Sequence, residues 1–273
     1  LGVRAVSFAG QRLKPYPESL NAAIRGMFLH SMAQKVWEML GSSERLAQLS
    51  QIQQDELVAQ AVAMAADQTL DGVSPVLARM EKERGHAVMM TLLDLERERS
   101  PFHIVGVEQA AGWQHASVKV NLRVDRIDET GQGAKVVMDY KSGQRTPDFQ
   151  KDWLRPQPVN LQLPLYATVL RQPDVAGQRG QIEALLFAKL NAKKTELNGL
   201  GENGTDIAGV TSLGKLAPEQ SWEALLESWE RSLQQLARDI SDGVADNRSW
   251  AVNDLIYCDV LPFLRLAQES EDD

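Results

Sequence analysis

The chain has one cysteine, Cys258, among 273 residues, which excludes a disulfide framework and a cysteine-based zinc site. That scarcity fits a reducing, bacterial-type cytoplasm. No apolar run approaches the ~20 residues of a membrane span, so no membrane association is expected. The opening L-G-V-R-A-V-S-F-A-G is too short and too poorly flanked for a signal peptide. No G-x-x-x-x-G-K-[ST] string occurs, which excludes a P-loop nucleotide site in this sequence. Basic excess is missing as well. The 29 Lys and Arg stand against 37 Asp and Glu, a net charge of −8, which argues against a generic nucleic-acid coat. Part of that charge sits in a tail at Glu269, Glu271, Asp272 and Asp273. The chain begins with leucine rather than methionine, which points to a domain cut from a longer polypeptide. The length supports one substantial core, and the expectation is a single domain over 1–273 with a helical insertion at about 44–100.

What is present centres on residues 118–141, which read as two strands around a polar turn, E-T-G-Q-G. In the first, Val118, Val120, Leu122 and Val124 alternate with Lys119, Asn121, Arg123 and Asp125; in the second, Val136, Met138 and Tyr140 alternate with Val137, Asp139 and Lys141. Side chains two apart share a face at roughly 6.5–7 Å, which sets Asp139 beside Lys141. A hairpin folding near Gly131 brings Asp125 opposite Val137 or Asp139. Two carboxylates and a lysine then converge. Carboxylates this close repel unless a cation lies between them, and a hard divalent ion with oxygen ligands resolves the conflict while polarising a phosphate. Strand alternation by itself also describes the solvated face of an ordinary hairpin. Between Asp125 and Ile127 the apolar parity flips, as a bulge there would make it do.

Elsewhere the spacing predicts a helix over residues 20–40, with Ala23, Met27, His30, Gln34 and Trp37 on one face, so that His30 points toward the core. Gly26 inside that helix implies close approach of another element. Residues 44–99 read as helical, capped by Ser50 and by Ser74 with Pro75, and are split into two helices near Gly72. A short strand is expected over 103–109, a helix over 158–170 with Gln162 and Tyr166 on one face, and an apolar strand over 182–190. The G-L-G-E-N-G string at Gly199–Gly204 matches G-x-G-x-x-G, but no helix opens after it, so 198–215 is read as a loop and not a dinucleotide site. A closing helix over 218–240 is expected to bury Trp222, Leu225, Trp229, Leu233 and Leu236. Lys141, Arg145, Lys151, Arg155, Lys189, Lys193 and Lys194 are candidates for a locally basic groove.

Four motifs in order carry a resemblance: R-G-M-F-L-H at 25–30, R-V-D-R-I-D at 123–128, V-V-M-D-Y-K-S-G at 136–143 and Q-L-P-L-Y at 162–166. Together they resemble the RecB-type exonuclease branch of the PD-(D/E)XK nuclease superfamily. The resemblance implies an α/β, restriction-endonuclease-like core: a mixed central sheet flanked by helices, with a helical insertion. It implies a Mg2+- or Mn2+-dependent deoxyribonuclease, with His30, Asp125, Asp139 and the Tyr140 carbonyl on the metal. Asp125, Asp139 and Lys141 would be catalytic, and Gln162, Tyr166, Arg126 and Ser142 would contact DNA. Arg25 and Glu108 are further candidates. DNA and a helicase subunit, or a linked helicase-like region, are the implied partners, in repair or recombination. A catalytically inactive DNA-holding scaffold of a helicase complex is the alternative, as is an interaction module built on the helices of 44–99. Many members hold an iron–sulfur cluster through four cysteines. Here only Cys258 is present and Leu264 stands where a final cysteine is expected, so no cluster is expected. Leu122 replaces a glycine common in relatives.

Overall fold

A computed structural model of the chain describes residues 20–143, 146–173 and 177–244. Arg145, Cys258, Leu264 and the acidic tail lie outside the described residues. The described residues form a six-stranded mixed sheet in sequential order: β1 (Phe102–His115), β2 (Val118–Thr130), β3 (Lys135–Lys141), β4 (Ile182–Lys189), β5 (Glu196–Gly201) and β6 (Val210–Ser212). β3 runs parallel to β4 and β5 to β6, and the other neighbours are antiparallel. From Val136 to Tyr140 every residue of β3 is buried, because helices cover both faces of the sheet centre.

One face packs on helices α1 (Ala22–Leu40), α3 (Gln51–Thr69) and α4 (Pro75–Arg97), with a short α2 (Ser43–Gln48) beside them. Val136, Met138, Tyr140, Ala184, Leu186 and Ala188 meet Phe28, Met32, Trp37, Val58 and Leu92 in that core. The other face, with Val137, Leu185, Phe187 and Ile127, packs on α5 (Gln162–Leu170) and α7 (Trp222–Ser241), with a four-residue α6 (Leu213–Leu216) nearby. The local signals act as anticipated at several ends. Ser50 and Gln53 form a reciprocal capping box, Ser74 caps α4 ahead of Pro75, and Gly41 closes α1 at φ 72°.

Several expectations are corrected. The 44–99 segment holds three helices, because Leu49 and Ser50 take extended backbone between α2 and α3. β1 runs on to His115 rather than stopping at 109, and its distal half is paired with β2 as far as Val118. The register shift lies in β1, between Ile104 and Gly106, and β2 has no inserted residue; the parity flip is nonetheless at Asp125, where the ladder skips a pair, Glu108 takes φ 48°, and Val124 and Ile127 reach the same core. A five-residue π-helical turn, Phe149–Trp153, occupies what reads as loop, and it seats Trp153 between Phe187 and Trp229. α5 starts at Gln162, not 158, after Asn160 adopts φ 54°. Residues 198–215 contribute strands: a Cβ at Gly199 would stand 2.6 Å from the Leu185 carbonyl, so these glycines serve close strand packing. On α7, Leu236 is 46% exposed and Ala237 takes the buried position.

Candidate active site

The β2–β3 ladder ends at the pair Arg126–Met138, and one step further the register sets Asp125 opposite Asp139. There the strands part. The Tyr140 amide donates to Asp125 Oδ2 at 2.8 Å instead of to a backbone partner. The face of α1 bearing Met27, His30 and Gln34 closes over this point and lines an open cleft of about 430 Å³; it does not face the core. Met27 is 55% exposed, whereas the true buried face carries Phe28, Leu29, Met32, Ala33 and Val36. Gly26 allows the approach, since a Cβ on it would come 3.1 Å from Ser142 Oγ.

His30 is fixed at both nitrogens. Nδ1 bonds the Gly26 carbonyl at 3.0 Å, while Nε2 lies 2.8 Å from the Tyr140 carbonyl and 3.2 Å from Asp125 Oδ2. Burial opposes charge on the ring, but the hydrogen bond and field of Asp125 outweigh it and hold the imidazolium up to about 9. On the other side, burial pushes the Asp139 carboxyl up to about 6, and the Asp125 charge adds to the rise against the pull of Lys141. Lys141 Nζ lies 2.7 Å from Asp139 Oδ2, a close ion pair at the floor of the cleft. Gln162 joins the group: its Nε2 donates to Asp139 Oδ1 at 2.6 Å and to the Tyr166 hydroxyl at 2.9 Å, and its Oε1 accepts from Lys141 at 2.6 Å.

The remaining expected residues divide. Glu108 lines the same cleft, opposite Asp125 in the β1–β2 register, with φ 48° and an ion pair to Arg123 at 3.2 Å. Ser142 is half-buried beside Gly26. Arg25 does not reach the cleft; it grips Glu81 through two hydrogen bonds of 2.9 and 2.7 Å and ties α1 to α4. Arg126 cannot contact DNA as expected, because it is fully buried on the opposite face, stacked 3.8 Å over the Trp37 ring between Glu96 and Asp128. Of the described groove candidates only Lys141 lines the cleft. Lys151 pairs with Asp148, and Lys189 and Lys194 pair with Glu196. Sequence reasoning missed Ser31, Gln68, Thr69 and Arg123 as cleft residues. For Ser31 and Gln68, joined at 3.0 Å across α1 and α3, no local signal exists.

Whether these groups suit a divalent ion can be judged from their lone pairs. With Nδ1–H on the Gly26 carbonyl, a neutral His30 aims its Nε2 lone pair at a carbonyl and a carboxylate oxygen, an arrangement only a proton or a cation relieves. Among the described residues no three His, Cys, Asp or Glu side chains already form a closed ligand cluster, because Asp139 is turned to Lys141 and Gln162. The donor set fits nonetheless: one imidazole, one main-chain carbonyl and two carboxylates, all with oxygen or nitrogen lone pairs a hard divalent ion accepts.

A mixed six-stranded sheet with helices on both faces is the architecture of the restriction-endonuclease-like nuclease fold. The model of the PD-(D/E)XK nuclease superfamily matches residues 7–259, and the chain belongs to that superfamily, whose members hydrolyse phosphodiester bonds and generally use divalent metals. Among solved structures it is similar to a candidate exonuclease of Eubacterium rectale, with 11% identity and a TM-score of 0.39 over 96% of this chain and 97% of that one. It is also similar to the protein SSO0001, with 10% identity and a TM-score of 0.25 over 86% and 82% of the two chains. No curated protein matches it at a significant level. No helix among the described residues is long and apolar enough to cross a membrane.

Proposed function

We propose that the chain is a RecB-type deoxyribonuclease, dependent on Mg2+ or Mn2+, that acts as an exonuclease in DNA repair or recombination, as a domain of or partner to a helicase. The observation that carries this reading is the meeting of His30 Nε2, Asp125 Oδ2 and the Tyr140 carbonyl at mutual contact beside Asp139 and Lys141. His30, Asp125, Asp139 and that carbonyl would hold the ion, which supplies positive charge that polarises a phosphate oxygen and acidifies a water. Gln162 holds Lys141 and Asp139 in fixed relation, so the ammonium stays at the floor of the cleft, where it orients the attacking water and offsets charge developing on phosphorus. Tyr166, on the next turn of α5, is buried and does not line the cleft; its hydroxyl accepts from Gln162 and so steadies that amide rather than reaching the substrate as expected. Water adds to phosphorus as the bond to the 3′ oxygen breaks, leaving a 5′-phosphate and a 3′-hydroxyl.

The test compares end-labelled linear DNA incubated with Mg2+, with Mn2+, with EDTA, and with the Lys141→Ala variant in either metal. Degradation is expected only in the metal-supplemented wild type, and the variant is expected to lose about 100-fold or more in rate. Equal degradation under all conditions would remove both the metal and the lysine from the chemistry.

A further inference from the structure

The proposed site sits at the root of an arm. Beyond Gln109 and Val124, β1 and β2 continue as a two-stranded ribbon whose register is unbroken to the pair His115–Val118. Its two faces differ in chemistry. Trp113, Val118 and Val120 pack down on Leu161, Leu165, Val169, Leu233 and Ala237. The upper face carries Lys119, Asn121 and Arg123 on β2, opposite Gln114, Gly112 and Ala110 on β1, and all six are exposed. The next residue of that face is Asp125, with Glu108 opposite. Arg123, Asp125 and Glu108 all line the cleft, so the ribbon's upper face leads into it, across the unpaired position where Glu108 takes φ 48°.

We infer that this upper face of the arm is a track that guides one extended strand of DNA into the cleft. The inference rests on the nuclease reading and adds to it where the substrate lies. Lys119, Asn121 and Arg123 recur every second residue, about 6.8 Å apart, over roughly 20 Å up to Asp125, a repeat that an extended phosphate backbone can follow contact by contact. Among the described residues the side chains of Gln114, Lys119 and Asn121 have no hydrogen-bond or ion-pair partner, and before Glu108 at the cleft the face carries no carboxylate. Opposite these donors the ribbon is low, with Ala110 and Gly112, and a Cβ built on Gly112 meets nothing within 4 Å, so a strand can lie against the backbone. A single strand suits the destination better than a duplex. The cleft holds about 430 Å³, the size of a site for one small ligand, and Asp139 at its floor is 1% exposed, so a lone strand, which can bend a phosphate inward, fits it more readily than a stiff duplex.

The experiment reads binding and cleavage separately. A fluorescent 15-nucleotide single strand and the matching blunt duplex are titrated with wild type, Lys119→Glu and Gly112→Glu in EDTA, by anisotropy at several salt concentrations. Both positions are exposed, and Gly112 has room for a side chain at a φ that any residue adopts, so each variant is expected to melt as wild type does. Each variant should bind the single strand about tenfold more weakly at low salt, and Lys119→Glu should flatten the salt dependence by about 0.7, the slope of one phosphate contact on a single strand. Single-strand affinity and slope equal to wild type in both variants overturn the track. A loss that falls as heavily on the duplex overturns its single-strand character. Hydrolysis of a nitrophenyl ester of thymidine 5′-phosphate, small enough to need only the cleft, is followed in parallel with Mn2+. If wild type and both variants hydrolyse it alike while single-strand binding falls, the track stands. If no protein hydrolyses any phosphodiester, the nuclease reading fails, and the binding result still decides the track.

Discussion

Replacing Arg126 with methionine tests whether the fold behind the site is held by charge or by shape. The guanidinium is fully buried and makes four hydrogen bonds: to Asp128 at 2.6 and 2.9 Å, and to Glu96 at 2.7 and 3.2 Å. Glu96 and Asp128 are 0% exposed, and Arg99, 2.6 Å from Glu96 and 2.9 Å from Asp128, is the other cation in the group. Taking away one cation leaves two buried carboxylates to share one arginine, and breaking a buried pair in this way costs about 3–5 kcal/mol. The lost stacking over Trp37 adds to that cost, while the methionine stem and sulfur recover part of the packing against the same rings. With an m-value near 3 kcal/mol/M, the urea midpoint should fall by roughly 1–2 M. Glu96→Gln completes a double-mutant cycle, and the double variant should be less damaged than the sum of the singles by about 1–3 kcal/mol, because the two residues share one network. A single-variant loss below about 1 kcal/mol, or strict additivity in the cycle, refutes the reasoning.

Two further outcomes follow from the same packing. Burial would raise the Glu96 carboxyl, but Arg126 and Arg99 hold it below its ordinary value of 4.5. The native state therefore binds its proton later than the unfolded chain does, so the stabilisation is present above pH 4.5 and is lost as pH falls through the lowered value; urea midpoints should decline on that acid limb, less steeply in Glu96→Gln, and equal limbs would exclude Glu96 as a contributor. At Gly85, in the middle of α4, a Cβ would come 2.8 Å from Phe28 and 3.2 Å from Met32, so Gly85→Val should overpack the α1–α4 crossing and lower stability by about 1–3 kcal/mol; an unchanged thermal midpoint would disprove the close crossing.

How much was readable from residues alone depended on how strongly each segment alternates. β2, β3 and β4 carry either clean alternation or unbroken apolar character, and their places follow from it. The distal half of β1, A-A-G-W-Q-H, has small residues on its exposed face and no period to detect, so its pairing with β2 reveals it only in three dimensions. Gly199 and Gly201 look like turn residues, although they are strand residues pressed against β4. The meeting of Asp125 with Asp139 was legible because hairpin register is local. The direction of His30 was not: a helix face with methionine and tryptophan looks like core whether it meets a packed interior or the wall of a cleft. Arg126 looks like an exposed strand cation because the partner that buries it beside Asp128, Glu96, is 30 residues away on another element.

Tyr140 has one further consequence, for how the protein can change. Its ring is anchored among the helices of one layer, edge-on to His30, while the polar groups it turns toward Asp125 and His30 are its own amide and carbonyl. Every amino acid brings that carbonyl, and all but proline bring the amide. Replacing the tyrosine can therefore loosen the scaffold but cannot delete this contribution to the site. A library that randomises codon 140 should vary in folding yield far more than in the identity of the groups offered there, whereas at codons 125 and 139 the two are lost together.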